Sequence, residues 1–369
     1  MIGKLSARVR EDGIELALSV AVAIGALLLG LVAVVASGVS IGDGISAFVS
    51  GAFGTQLNLA GTLAKMVPLT LVGLGWIVVF RAGRFHVGFP GQLLFGSLFV
   101  SIAALKVSLP IVLHLPLCVL AGALGGAVWA LLPAWLWAKR GVNEILSTLL
   151  LNLVAVQILA WWVRQPFHDS TTPLPLTKPL PGSAFWPSLI TNTDLHWDIV
   201  LIPICVIAIS FLLTRTTFGF RVRVVGASEQ VARHGGISPA RVGSTAIVLS
   251  GALAGLAGAS LVIAGTTPAM GEDVGSAYGF TGIAVALLAR NSPWGVIPAA
   301  LLFAALTQGG GVMEGTVGIS SSLVGVLQGI IIVSVLAATT VLYVRRAQWR
   351  LSRTGAVLAA RADAESGIV

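Results

Sequence analysis

Apolar residues run along this chain in long blocks separated by short polar stretches. The blocks lie near 15–36, 62–80, 88–108, 111–133, 143–163, 198–213, 244–265, 277–290, 294–310 and 321–343. Most approach the roughly 20 residues that carry a helix across about 30 Å of hydrocarbon. The pattern predicts an all-α polytopic membrane protein with about ten transmembrane helices, several of them short or broken. The breaks carry Gly and Pro, as at Gly88-Phe89-Pro90-Gly91 and Asn291-Ser292-Pro293. Lipid cannot satisfy the backbone groups that a break frees, so such breaks belong inside protein or beside a wet cavity. They predict a bundle with a pathway through it.

Charge sets the expected orientation. If the N-terminus is cytoplasmic, the inner segments are 1–14, 81–87, 134–142, 214–243, 290–293 and 344–369, and 18 of the 22 Lys and Arg fall in them; Lys65, Lys106, Arg164 and Lys178 are the exceptions. Basic residues favour the cytoplasmic side of short loops, so both termini are expected inside, flanking a single transmembrane domain over 15–343. The net charge of +8 then belongs to loops beside anionic headgroups, and no nucleic-acid partner is needed to explain it. The first block is too long for a signal-peptide core and reads as a retained span. Cys118 and Cys205 sit in apolar blocks as small hydrophobes, with no disulfide or metal implied. The composition, 56% hydrophobic and 10% charged, excludes a soluble domain of this length.

Three polar connections are long enough to do something. External 37–61 includes a stretch, 45–59, that reads as an interfacial helix. External 164–197 carries Pro166, Pro173, Pro175, Pro179, Pro181 and Pro187, too many for a helix, and reads either as a cap over the outer mouth or as a plain connector. Within cytoplasmic 214–243, Gly226 to Ile237 reads as a short helix with Ser228 as N-cap, Glu229 in the first turn and Gly235-Gly236 as the stop. Ala227 and Ala232 would let it approach another protein closely. Its alternative is a solvated basic loop.

Inside the membrane, Glu144, Thr148 and Asn152 share one helical stripe at four-residue spacing. A carboxylate facing lipid is costly, so the stripe looks into the bundle. Glu144 is expected to pair with Lys139 or Arg140 at the interface, and the deeper Thr148 and Asn152 serve either as interhelical glue or as solute contacts. Phe85, His86, Phe89 and Gln92 sit at the 80–92 break, a broken helix lining a path or an ordinary inner turn. Ser276 to Gly282, with Phe280, adds an aromatic turn near a mouth. The glycine-rich run Gly251 to Gly258 reads as a close helix-packing face. No phosphate-binding G-x-x-x-x-G-K-[ST] loop, HExxH or CxxC is present, and enzyme readings have no support.

The succession Phe80-Arg81-Ala82-Gly83, Gly91-Gln92, Gly141-Val142-Asn143-Glu144, Thr216-Thr217-Phe218-Gly219, Val224-Val225-Gly226, Leu249 to Gly258 and Tyr278-Gly279-Phe280 resembles the permease subunits of ABC importers for nucleosides and simple sugars. The resemblance covers residues from about 45 to 340. It implies a multi-pass subunit of the bacterial cytoplasmic (inner) membrane that pairs with a second permease, a paralogue or a copy of itself. It also implies an ATP-binding cassette subunit holding ATP and Mg, no cofactor on this chain, and an external substrate-binding protein. By it, residues 226–237 would be the coupling helix to the ATPase, with Gly226, Ser228, Glu229, Ala232, Arg233 and Gly235 as its key positions. The solute pathway would involve Phe85, His86, Phe89, Gln92, Thr148, Asn152 and Phe280. The nucleoside branch looks closest, ahead of the ribose type. A stand-alone secondary transporter or channel is the reading from another class. Where the branch carries an Asn-Ile-Gly pattern and then an acid before Gly-Gln, this chain reads His86-Val87-Gly88-Phe89-Pro90-Gly91-Gln92. It also has Thr281 where an acid is usual. If those positions line the path, the ligand departs from the branch's usual nucleoside.

Overall fold

A computed structural model describes residues 40–265, 267–275 and 277–318, with 325, 326 and 328–330. The expected spans 15–36 and 321–343, the segment 1–14, the tail 344–369 and Ser276 lie outside the described residues, wholly or nearly so. Residues Ile45–Gly318 form one compact unit and contain the features discussed below.

The helices are α1 Ile41–Val49, α2 Gln56–Arg81, α3 Phe89–Lys106, α4 Ile111–Arg140, α5 Glu144–Arg164, α6 Leu201–Arg215, α7 Thr217–Ala227, α8 Glu229–His234, α9 Pro239–Ile263, α10 Tyr278–Leu288 and α11 Val296–Val317. Among the described residues, seven segments are long and apolar enough to cross a membrane: α2 to α5, α9, α11, and α6 with the turn Trp197–Val200 that leads into it. They correspond to seven of the ten expected blocks. The eighth, 277–290, is corrected: its helix α10 has 11 residues, about 16 Å at 1.5 Å per residue, well short of the hydrocarbon thickness. The expected interfacial helix near 45–59 is α1 continued to Gly54, after which α2 starts.

From α2 to α9 each long helix runs opposite to the long helix before it, and α11 runs the same way as α9. One end of the bundle gathers Arg81, Arg84, Lys139, Arg140, Arg215 and Arg233; the other carries the long loop 165–197. α2 and α9 are mostly buried, whereas α4, α5 and α6 turn most of their apolar surface outward. Apolar side chains all round a helix leave its sides indistinguishable by hydrophobicity alone. Close backbone approach decides which side faces in.

The glycine run in α9 does this, as expected. A Cβ on Gly255 would fall 2.1 Å from the Gly122 carbonyl oxygen, and one on Gly126 would fall 2.1 Å from that of Gly251. On the other flank, a Cβ on Gly258 would meet the Leu93 carbonyl at 2.2 Å, and one on Gly96 the Gly255 Cα at 2.4 Å. Small residues at these positions let α9 lie backbone to backbone against α4 and α3, where dispersion replaces the hydrophobic drive that lipid removes. Gly255→Ala is therefore expected to cost at least about 1–3 kcal/mol by overpacking. Gly311→Ala, where nothing lies within 4 Å, is expected to be neutral. Thermal unfolding of the two variants in detergent checks the contrast; equal stability would overturn the packing account.

Candidate functional site

The break between α2 and α3 begins where α2 ends at Arg81. Gly83 turns the chain in the left-handed region (φ +74°), and a Cβ there would press on the Gly226 Cα at 3.3 Å. Residues 84–88 then run without helical structure back into the bundle. α3 starts at Phe89 with Pro90 in its first turn, a position that needs no N–H donor. The Phe89 ring packs at Gly75, six residues before the end of α2, so α3 begins about 9 Å inside the bundle. His86, Phe89 and Gln92 are fully buried.

Side chains of α5 supply the partners that the break needs. Asn152 Oδ1 accepts from the Gly91 N–H at 2.9 Å, and its Nδ2 donates to the Val87 carbonyl at 2.9 Å. One amide thus satisfies a free donor of the α3 N-terminus and a carbonyl of the preceding segment. Gln92 Nε2 donates to His86 Nε2 at 2.7 Å, leaving His86 Nδ1–H to donate to Glu144 Oε1 at 2.9 Å. Glu144 therefore pairs with buried His86, not with Lys139 or Arg140 as expected; Arg140 instead lies over the Trp135 ring. Thr148 Oγ1 donates to the Glu144 carbonyl at 2.8 Å, within its own helix. Among the described residues Gln92 Oε1 has no hydrogen-bond partner.

The site thus brings together His86, Phe89, Gln92, Thr148 and Asn152. Phe85 is half exposed, with its ring edge-on to Trp76 at 5.0 Å. Phe280 is half exposed on α10, one residue beyond Gly279, whose Cβ would fall 2.6 Å from the Pro90 nitrogen.

The basic-end loop reaches this break. Ser228 caps α8 by accepting from the Val231 N–H at 3.3 Å, and Gly235-Gly236 ends it, Gly236 at φ +73°, as the sequence predicts. Gly226 lies against the Arg81 carbonyl, where a Cβ would approach to 2.2 Å. Glu229 pairs with Arg84 and, at 3.4 Å, with Arg233. Arg84 also lies 4.0 Å from the Trp137 ring centroid, and its burial lowers the guanidinium pKa, an effect that the Glu144 charge opposes. Ala232 is fully buried against its own chain, so it is not the small outward contact that the sequence suggested; Val231 and Arg233 point outward instead. Arg84 joins the two regions but drew no separate notice in the sequence. Its position two residues before His86 was the available signal.

At the opposite end, the proline-rich loop lies along 263–271. Thr177 N–H donates to the Met270 carbonyl at 3.0 Å, and Trp186 N–H to that of Ile263 at 2.9 Å. Arg164 grips Glu272 through two bonds of 2.7 Å.

Long apolar helices packed around a hydrogen-bonded break define a multi-pass membrane protein. The sequence profile of the branched-chain amino acid transport system permease component matches residues 58–336, and the chain belongs to that family. It is 37% identical to the glucose ABC transporter permease protein TsgB13 of Haloferax volcanii, over 84% of each chain. It is 30% identical to the guanosine ABC transporter permease protein NupP of Bacillus subtilis, over 86% of this chain and 93% of the relative. With the nucleoside ABC transporter permease protein NupB of Lactococcus lactis it shares 31% over 76% and 80%.

The Arg164–Glu272 pair yields a pH prediction. The hydrogen bond from Arg164 holds the Glu272 carboxyl below its ordinary value of 4.5, so its stabilisation is present above that pH and is lost as pH falls through the depressed value. The unfolding temperature of the native protein should exceed that of Glu272→Gln near neutrality, with the gap closing on acidification below about 4.5. A gap independent of pH would overturn the assignment.

Proposed function

We propose that this chain is the transmembrane subunit of an ATP-binding cassette importer that translocates a small polar solute, a nucleoside first, delivered by an external binding protein. The observation that carries the reading is similarity to guanosine and nucleoside permeases over 86% and 76% of the chain, within one permease family. ATP and Mg belong on a separate ATPase chain. This chain binds no cofactor and catalyses no reaction. The second, related permease NupQ of Bacillus subtilis also matches, at 26% identity, which supports pairing with a paralogous permease. Glucose is the second reading, favoured by the 37% identity to TsgB13. Uptake of labelled guanosine by cells expressing the importer, competed with unlabelled nucleosides or glucose, decides between them; competition by neither overturns the assignment.

In this reading the basic end is cytoplasmic, both termini lie inside, and the chain crosses the inner membrane of a bacterium repeatedly, the crossing between α9 and α11 being made by the short α10 in place of a full span. Single cysteines replacing Ser170 and Gln230, with Cys118 and Cys205 removed, should label from opposite sides of intact cells. Labelling of both from outside by an impermeant reagent would reverse that conclusion.

The exposed side of α8, Val231 with Arg233, is the docking surface for the ATPase. The Glu229–Arg84 pair passes its position to the break, where His86, Phe89, Gln92 and Asn152 border the solute's path and the free Gln92 Oε1 offers an acceptor. A weak site suffices, because the solute must be released: one or two hydrogen bonds of about 1 kcal/mol each. Val231→Asp should leave the subunit folded yet reduce stimulation of ATP hydrolysis by the loaded binding protein at least tenfold. Full stimulation in that variant would rule out docking at α8.

A further inference from the structure

A second buried polar cluster lies apart from the break, near the loop-bearing end. A cavity of about 130 Å³ is lined by Lys65 of α2, Asp194 and Asp198 at the approach to α6, Ser260 and Leu261 of α9, and Tyr278 of α10. Asp198 is 2% exposed. Its Oδ2 accepts from the Ser260 hydroxyl, and the backbone N–H groups of Asp198 and Ile199 lie near the carboxylate, but among the described residues Oδ1 has no hydrogen-bond partner. A buried carboxylate oxygen without a partner is expensive and rare. On the facing wall Lys65 donates to Gln308 Oε1, and Gly61 leaves room for that amide, where a Cβ would come within 2.9 Å. An ammonium carries three donors, so Lys65 retains capacity beyond Gln308.

The wall specifies the chemistry of what fits. Two carboxylates against one ammonium disfavour phosphate or carboxylate ligands. The free Asp198 oxygen needs a hydrogen donor, and Lys65 offers one to an acceptor. A hydroxyl does both, and neighbouring hydroxyls on one ring can engage the two walls together. Leu261 and the Tyr278 ring supply apolar surface for the ring's C–H face. Pockets for whole drug-sized ligands run to about 300–1,000 Å³, so this one is sized for a fragment, a single ring.

We propose that this cavity is a sugar-ring subsite on the solute's route, with Asp198 accepting from one ring hydroxyl and Lys65 donating to its neighbour. The inference rests on the importer reading above and deepens it: a nucleoside and glucose share a hydroxylated ring, and this subsite recognises that part.

The test is the ratio of kcat/KM for uptake of guanosine to that of 2′,3′-dideoxyguanosine by the reconstituted complex. The same binding protein serves native and variant permeases, so its own discrimination cancels when their ratios are compared. Asp198→Asn keeps the acceptor for Ser260 and removes the charge. It should slow guanosine uptake about tenfold, leave dideoxyguanosine uptake and basal ATP hydrolysis unchanged, and so flatten the ratio. If Asp198→Asn does not assemble, Lys65→Gln on the opposite wall reads the same ratio. A ratio equal to the native one in the assembled variant overturns the subsite while leaving the importer reading intact. Should the native complex move neither nucleosides nor glucose, the importer reading falls and the subsite falls with it.

Discussion

A chain that leaves helical geometry inside hydrocarbon has no water to turn to, and in this protein the break at 82–88 is possible because α5 provides the missing partners. Each bond that Asn152 makes is worth about 1 kcal/mol net, but leaving the Gly91 N–H or the Val87 carbonyl buried and unpaired would cost about 1–3 kcal/mol apiece. The His86 ring extends the same support, joining Glu144 on one side to Gln92 on the other. Chains of this kind resist piecemeal change, because removing one member strands the next. The break is therefore a defined structure, able to hold side chains in place inside the bundle.

Rigidity at the break gives meaning to its link with the surface loop. Arg84 sits between two demands: its guanidinium pairs with Glu229 of α8 and lies over Trp137 of α4, while its backbone is two residues from His86. Gly83 and Gly226 bring the two backbones into contact beside it. A displacement of α8 has a short, stiff route to the start of α3. In the proposed importer, coupling between α8 and the start of α3 would run through these contiguous packed and charged contacts.

Much of this was legible in the sequence, and the failures have physical causes. The seven long helices follow from block length, because lipid demands long apolar runs. The stripe Glu144–Thr148–Asn152 follows from four-residue spacing, and the α9 glycines from small-residue spacing. The partner of Glu144 was not legible: Lys139 and Arg140 are near in sequence, whereas His86 is 58 residues away and arrives only because the chain re-enters the bundle. Ala232 misled because smallness suits either a docking surface or a tight internal contact, and composition does not say which. Lys65 stood out in the sequence only as a basic residue outside the inner segments and Asp198 not at all; only the folding of α2, α9 and α10 around one space brings them to one cavity.

The shortness of α10 has an electrical consequence. Gly279 places its first turn against Pro90, so two helices begin side by side deep in the bundle and run away from each other, α3 toward the loop-bearing end and α10 toward the basic end. Each start carries the equivalent of about half a positive charge. Two such poles side by side disfavour a cation next to them and are nearly indifferent to an uncharged group. In the proposed importer, a path past these helix starts would admit an uncharged solute more readily than a sodium ion.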